Sequence, residues 1–393
     1  MKKYFFNTGS YSLLFFTSII LLFVLIIDST YNISNCTTIS VPDDFQNIQD
    51  AIDSTSNGDI IIIRNGIYKG IGNFNIDFKG KAITMTSESG PNFCTINCEK
   101  QGKAFIFQNG EDSSTVISGL TIKNCSITSS DDDAGGILCY SSSPKIENCL
   151  FKEIVGYVIY CSSTSNPTIK SCSFINNRGT GIRCSSSSPT IEDCIFKKNF
   201  DHKEKIGQEG NSTYYKVYKG SGVFCSNSSP YIGNCIIEDN ERIAIEIVQD
   251  SSPHIIDCKI KNNSQGIYIN ASTPTIVKCT ISHNISYFIS GTYYYGGGVS
   301  FRDAGGYIDK CTIYENGADY GGGIAVYESK PEISNSLIFN NYASEAGGGL
   351  FIKYHFTGGP SANISFCAPL LTMQSMYVLH LPTLLIALFG GQF

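Results

Sequence analysis

The sequence predicts an all-β solenoid of the parallel β-helix type, and three observations carry the prediction. A thirteen-residue phrase recurs through the middle of the chain with a spacing of about 22 residues. Each repeat contains three short strand patterns separated by bends. The inward columns are filled by isoleucine, cysteine, phenylalanine and valine, where a leucine-rich repeat would need leucine.

From its second residue onward the phrase reads SSPKIENCLFKE, SNPTIKSCSFIN, SSPTIEDCIFKK, SSPYIGNCIIED, SSPHIIDCKIKN and STPTIVKCTISH. Its prolines are Pro144, Pro167, Pro189, Pro230, Pro253 and Pro274, spaced 23, 22, 41, 23 and 21 residues apart, so one long insertion interrupts a regular unit. The register continues with Gly306 in the proline slot and then with Pro331. In a solenoid each unit buries its apolar face against its neighbours alone. The first strand of a unit is Gly-Ile-x-Cys, whose alternation puts Ile182 and Cys184 on one face and Arg183 on the other. The second strand is centred on Ile146, Ile169, Ile191, Ile232, Ile255 or Ile276. The third is Cys-x-Ile/Phe, with Cys149 and Phe151, or Cys258 and Ile260, facing inward. Ile146 and Cys149 stand three apart, which breaks the period of two and requires a bend between those strands. Ser, Gly, Asn, Thr and β-branched residues dominate, and no stretch between rungs reads as helical.

Asparagine closes each unit, at Asn177, Asn199, Asn240, Asn263, Asn284, Asn316 and Asn341, with Asn124 placed in the same column. Asparagine tolerates left-handed backbone. Amides stacked about 4.8 Å apart can also bond one another along the axis. The 16 cysteines fall into the same frame. The third-strand column holds Cys149, Cys172, Cys194, Cys235, Cys258, Cys279 and Cys311. The first-strand column holds Cys139, Cys161, Cys184 and Cys225, and Ile247, Ile269, Phe301 and Val326 continue it. Side chains in register lie alongside each other, which is poor bridging geometry, so both columns read as free core thiols. No CxxC pair exists, which argues against structural zinc.

Formal net charge is −6 with pI near 5.4, and the basic runs are limited to Lys197-Lys198 and residues 203–205. That argues against nucleic acid as a partner. At the start, Lys2 and Lys3 precede 24 uncharged residues, 4–27. The run exceeds the usual core of a signal peptide and is long enough to span a bilayer. Residues 1–35 therefore read as a cleaved signal or as a retained membrane anchor, and either places the repeat body outside the cytoplasm. Residues 36–353 form the β-helix. Residues 354–393 contain no Lys, Arg, Asp or Glu and carry no rung signature. That tail reads as a hydrophobic cap, a membrane-associated segment or the end of a truncated array.

The stretch ISVPDDFQNIQDAIDSTSNGDIIIIRNGIYKG, residues 39–70, resembles the start of right-handed parallel β-helix proteins of the pectate-lyase-like superfamily. Phe45, Ile48 and Ile52 have helical spacing, consistent with a short amphipathic cap on the end of the coil. Gly58-Asp59 makes the turn and residues 60–63 the first buried strand. The resemblance spans residues 39–353. It implies a right-handed coil with an N-terminal capping helix, and a superfamily that includes pectate lyases, pectin methylesterases and polygalacturonases.

The catalytic signatures of those enzymes are absent: there is no Asn-Thr-Asp or Gly-His-Gly element and no esterase segment. Arg183 with Asp131, Asp132 and Asp133 has the composition of a calcium–base site, but three aspartates in a Ser/Gly loop read first as a solvated turn. The insertions are more selective. They leave the coil after the asparagine column and so stack along one corner. They bring Tyr214, Tyr215, Tyr218, Tyr293, Tyr294, Tyr295 and Tyr320, which are the candidate ligand-binding residues, since tyrosine joins a flat apolar face to a hydroxyl. Asp131, Asp132, Asp133 and Asp319 are the candidate calcium ligands. The competing expectation is that these rings fold back and pack on the coil. The reading is an extracellular or surface-anchored β-helix that binds a polysaccharide or another surface molecule. The alternative is a lyase or hydrolase of acidic glycans. Membrane contact is assigned to the N-terminal segment.

The anchor reading is tested by fractionation. Protein that pellets with membranes and retains its N-terminus is expected, with release on deletion of residues 1–35; an N-terminus near Ser34 establishes a cleaved signal instead.

Overall fold

From Thr38 onward the chain winds as a parallel β-helix whose three faces are continuous sheets. The computed structural model describes residues 36–127, 134–209, 212–286 and 295–353, with further strands at Asn363–Phe366, Met376–Leu379 and Leu385–Leu388. Sheet 1 has 12 strands and contains the Gly-Ile-x-Cys segments, such as Ile182–Ser185. Sheet 2 has 14 and contains the segments after proline, such as Thr190–Glu192. Sheet 3 has 11 and contains the segments after the corner cysteine, such as Ile195–Lys197. Rungs pair in register as the sequence columns require: Cys139, Cys161, Cys184 and Cys225 are successive partners, followed by Ile247, Ile269, Phe301 and Val326. The strand at Met376–Leu379 extends sheet 1, and those at Asn363–Phe366 and Leu385–Leu388 extend sheet 2.

The glycine that opens the first strand sits at a close approach to its surroundings. A Cβ on Gly266 would stand 2.3 Å from the carbonyl oxygen of Gly298, and one on Gly181 would stand 2.6 Å from a ring carbon of Phe196. No side chain fits there. Inside the coil, Phe151, Phe174 and Phe196 stack with centroids 4.9 and 4.6 Å apart.

Each rung turns three corners, and at each a residue adopts a left-handed backbone. In one rung these are Asp193, Lys198 and Asn227, with φ of 56°, 54° and 49°. Their amides donate to the next rung, to Gly233, Glu238 and Gln249 carbonyls at 3.1, 3.3 and 2.9 Å. The conformation is uncommon outside glycine, and here inter-rung bonding holds it.

The asparagine column forms a continuous buried ladder. Asn199 Nδ2 donates to Asn240 Oδ1 at 2.9 Å and to the Phe174 carbonyl at 3.2 Å, and the Asn199 amide donates to the same Asn240 oxygen at 3.1 Å. The pattern repeats from Asn177 to Asn341. Two expectations need correction. The left-handed residue is the one before the ladder asparagine, such as Asn176 or Lys198, and not the ladder residue itself. Asn124 is likewise left-handed, at φ 52°, so it occupies the preceding slot, and Cys125 stands where the ladder would be. Cys125 forms a disulfide with Cys98.

A second ladder runs at the Ser-Pro corner, where the amide of each serine donates to the hydroxyl of the next: Ser142 to Ser165, Ser165 to Ser187, Ser187 to Ser228 and Ser228 to Ser251, all at 3.1 Å.

The repeat cysteines are free and buried, as expected. The third-strand column has an additional role. Cys194 Sγ donates to the Glu192 and Ile169 carbonyls at 3.2 and 3.5 Å, and Ser336 makes the equivalent bond to the Ser334 carbonyl at 2.7 Å. Where cysteine or serine fills the slot it therefore supplies a donor to corner carbonyls as well as filling space. Burial pushes the Cys94 thiol up to about 12, and burial with the neighbouring Cys149 and Cys194 thiols raises Cys172. Protonated thiols are poor nucleophiles.

The N-terminal cap is shorter than its sequence pattern. Helix α1 spans Ile48–Ser54 and buries Ile48, Ala51 and Ile52, while Phe45 lies in the turn before it and packs on the core. Asn47 caps α1 by accepting from the Asp50 amide at 2.9 Å. Asp44 closes the turn on Ser40, its carboxylate accepting from the Ser40 amide at 2.8 Å, and that pairing keeps Phe45 out of the helix. Among the described residues no helix is long and apolar enough to cross a membrane, and residues 1–35 lie outside them.

Two substitutions separate the ladder from simple packing. Asn240→Ala strands the Phe196 carbonyl and the Asn199 amide, and a loss of about 2–5 kcal/mol is expected in chemical denaturation. Cys194→Ser, which keeps the donor, is expected to cost less than Cys194→Val; the reverse order would show that apolar packing sets that column.

Candidate functional site

The outer face of sheet 1 departs from the polar surface expected of an outward column. In register along the coil it carries Tyr160, Arg183, Phe224, Glu246, Tyr268, Ser300, Ala325 and Phe351. Several of these are covered. Glu246, Ser300, Ala325 and Phe351 are buried even though they point away from the core. The cover comes from the insertions that leave the coil after the asparagine ladder.

The first of these is an antiparallel hairpin, His202–Glu209 with Ser212–Tyr218. Its base is fixed to the following rung on both sides. Arg242 Nε donates to both Asp201 oxygens at 3.0 and 2.8 Å, and Lys219 Nζ reaches both Glu246 oxygens at 2.8 and 3.0 Å. Burial works against the Asp201 charge, but Arg242 and the Gly220 amide hold its carboxyl below the ordinary range. Further along, Gly317–Tyr320 pairs in parallel with Tyr342–Ala346 and forms a short wall beside the main coil.

On this face lies a groove of about 440 Å³, lined by Lys219, Ile243, Glu246, Gln265, Tyr268, Tyr295, Ser300, Arg302 and Tyr327. Gln265 Nε2 donates to the Tyr295 and Gly296 carbonyls, both at 2.8 Å, and so fixes the chain as it re-enters the rung. Tyr295 stacks on Tyr320 at 5.2 Å and meets Tyr327 at 5.8 Å. The Arg302 guanidinium lies 5.7 Å from the Tyr327 ring centre. Burial, reinforced by Glu328, raises the Tyr327 phenol, so it remains a hydrogen-bond donor at neutral pH. Ring faces with hydroxyl, amide and charged edges suit sugar rings. Among the described lining residues Glu246 is the one carboxylate, and Lys219 holds it.

The family model described as the right handed beta helix region matches residues 70–219 and 201–297, which together cover more than half of the sequence. The chain belongs to the right-handed β-helix family. No curated protein matches it. Among solved structures it is similar to the catalytic domain of a GH87 alpha-1,3-glucanase in complex with tetrasaccharides, with TM-score 0.50, 13% identity, and coverage of 85% of this chain and 68% of that one. It is also similar to XylC in complex with xylose, with TM-score 0.48, 9% identity, and coverage of 84% and 74%. A third is a PL6 family alginate lyase, with TM-score 0.44, 11% identity, and coverage of 89% and 53%. At such identities the likeness concerns the fold.

On this β-helix the candidate residues from sequence separate. Tyr295 and Tyr320 reach the groove or its wall and pack there against each other and Phe351. Tyr218 is 1% exposed, edge-on to Tyr157 at 5.8 Å, so it packs against the coil and offers no face to a ligand. Tyr214 and Tyr215 lie on the second hairpin strand. Tyr293, Tyr294, Asp131, Asp132 and Asp133 fall outside the described residues. Asp319 is buried and accepts from Ser344 at 2.9 Å, and among the described residues no three acidic, His or Cys side chains come together to hold a metal. Sequence reading missed Lys219, Glu246, Tyr268, Arg302 and Tyr327. For Glu246 and Tyr268 the available signal was the outward position one residue before each inward cysteine or isoleucine, and for Arg302 and Tyr327 the position one residue after it.

Two tyrosines distinguish wall from surface. Tyr218→Ala is expected to lower stability by about 3–5 kcal/mol, as for a buried aromatic, whereas Tyr268→Ala is expected to leave the melting temperature nearly unchanged. Equal losses would place Tyr268 among the packing residues.

Proposed function

We propose that this protein is a polysaccharide-binding β-helix that works outside the cytoplasm and holds a glycan chain along the outer face of sheet 1. The groove carries the reading, because it combines the Tyr268, Tyr295 and Tyr327 rings with Lys219, Gln265 and Arg302 as polar contacts. Each rung advances about 4.8 Å, so a chain lying parallel to the coil meets side chains from several rungs. The tetrasaccharide-bound glucanase of similar fold supports the class of ligand. A calcium contribution from Asp131, Asp132 and Asp133 belongs to the same proposal.

Retention on immobilised polysaccharides, with and without calcium, tests it. Tyr268→Ala is expected to weaken binding to any retained glycan at least tenfold, or about 1.4 kcal/mol. New ultraviolet absorbance on incubation with polygalacturonate or alginate would establish eliminative cleavage, the enzymatic alternative. Retention of no polysaccharide would overturn the reading and leave a protein ligand for this face.

A further inference from the structure

Resting on the glycan-binding reading, we infer that Arg183 forms an anion subsite adjoining the groove, so that the ligand is an acidic polysaccharide whose charged substituents are read by this guanidinium. Arg183 projects from the outer face of sheet 1, one rung from Phe224 and two from Glu246. Three rings hold it: its guanidinium carbon lies 4.4 Å from the Phe224 ring centre, 4.8 Å from Tyr157 and 5.9 Å from Tyr160. Its Nη1 donates to the Tyr157 hydroxyl at 3.0 Å and its Nε to Ser185 Oγ at 3.3 Å. Every one of these partners is neutral, and among the described residues no carboxylate reaches it. Arg64 and Arg242, by contrast, are bound by carboxylates at 2.8 Å.

A guanidinium has five donors in a rigid fork that matches planar oxyanions. Fixing it between rings removes much of the ordering cost of binding. The nearest acidic side chain in its register row, Glu246 two rungs away, is held by Lys219. Farther along sheet 1 stand Arg302, with Asp303 at 4.0 Å, and Lys353. The whole chain has net charge −6, so a guanidinium held by neutral partners is a local feature that attracts an anionic substituent.

The test compares full-chain wild type with Arg183→Met, which keeps the stem packing, and Arg183→Lys, which keeps charge without the planar fork. The probes are polygalacturonate with its carboxyl-reduced neutral counterpart, and sulfated dextran with dextran. Wild type is expected to bind at least one charged probe tenfold more tightly than its neutral partner, and which pair shows the difference identifies carboxylate or sulfate. Arg183→Met is expected to abolish that preference and to leave neutral binding unchanged, with Arg183→Lys between. Equal wild-type binding to charged and neutral probes would overturn the subsite while leaving the glycan-binding reading standing. Retained preference in Arg183→Met would do the same. No binding to any probe removes both. Should Arg183→Met fail to fold, the wild-type charged-to-neutral ratio, and its fall with added salt, decides the matter alone.

Discussion

The structure depends on identical side chains meeting one rung apart. Parallel strands bring residue i of one rung beside its counterpart in the next, and every periodic feature follows from that spacing. The asparagine ladder is the strictest case. An amide carries both donor and acceptor, so one side chain accepts from the rung before, donates to the rung after, and leaves a second donor for the corner carbonyl. A buried corner exposes backbone groups that cannot reach water, and the ladder satisfies them in sequence. Replacing one member affects both neighbours, which makes the corner cooperative along the axis. The serine ladder and the corner thiols solve the same problem at the other two bends with smaller donors.

The repeat made most of the coil legible. Period, strand positions and inward columns could be read because a β-helix repeats its burial pattern in every unit, so noise at one rung is corrected by the next. Two errors had local causes. Asn124 was one position off because the rung before Cys149 has Leu120 in the cysteine slot, and an asparagine is also favoured in the left-handed position adjacent to the ladder. Phe45 reads as helical because its spacing to Ile48 and Ile52 is helical, whereas Asp44 is bonded back to Ser40 and the helix begins only at Ile48.

The site was less legible for the opposite reason. Insertions do not repeat, so no column corrects them, and a tyrosine in a loop has the same sequence signature whether it packs or binds. Tyr218 and Tyr295 illustrate the two outcomes: one is enclosed against Tyr157, while the other lines the groove and stacks on Tyr320. The outward positions of sheet 1 can be read from the column, but the column does not say which of them the loops cover. Their significance depends on which loops fold over them.

That division assigns different roles to coil and insertions. The coil supplies a rigid, evenly spaced row of outward side chains. The insertions decide which of those side chains are covered and which remain available. Phe351 lies under Tyr295 and Tyr320, while the row opens again at Tyr268 and is flanked by Lys219 and Arg302. Pinning the hairpin through Asp201–Arg242 and Lys219–Glu246 ties that covering to the same rungs it borders. A change in insertion length would therefore shift the available stretch of the row without disturbing the ladders beneath. Recognition can thus vary on a fold whose stability is fixed at the corners.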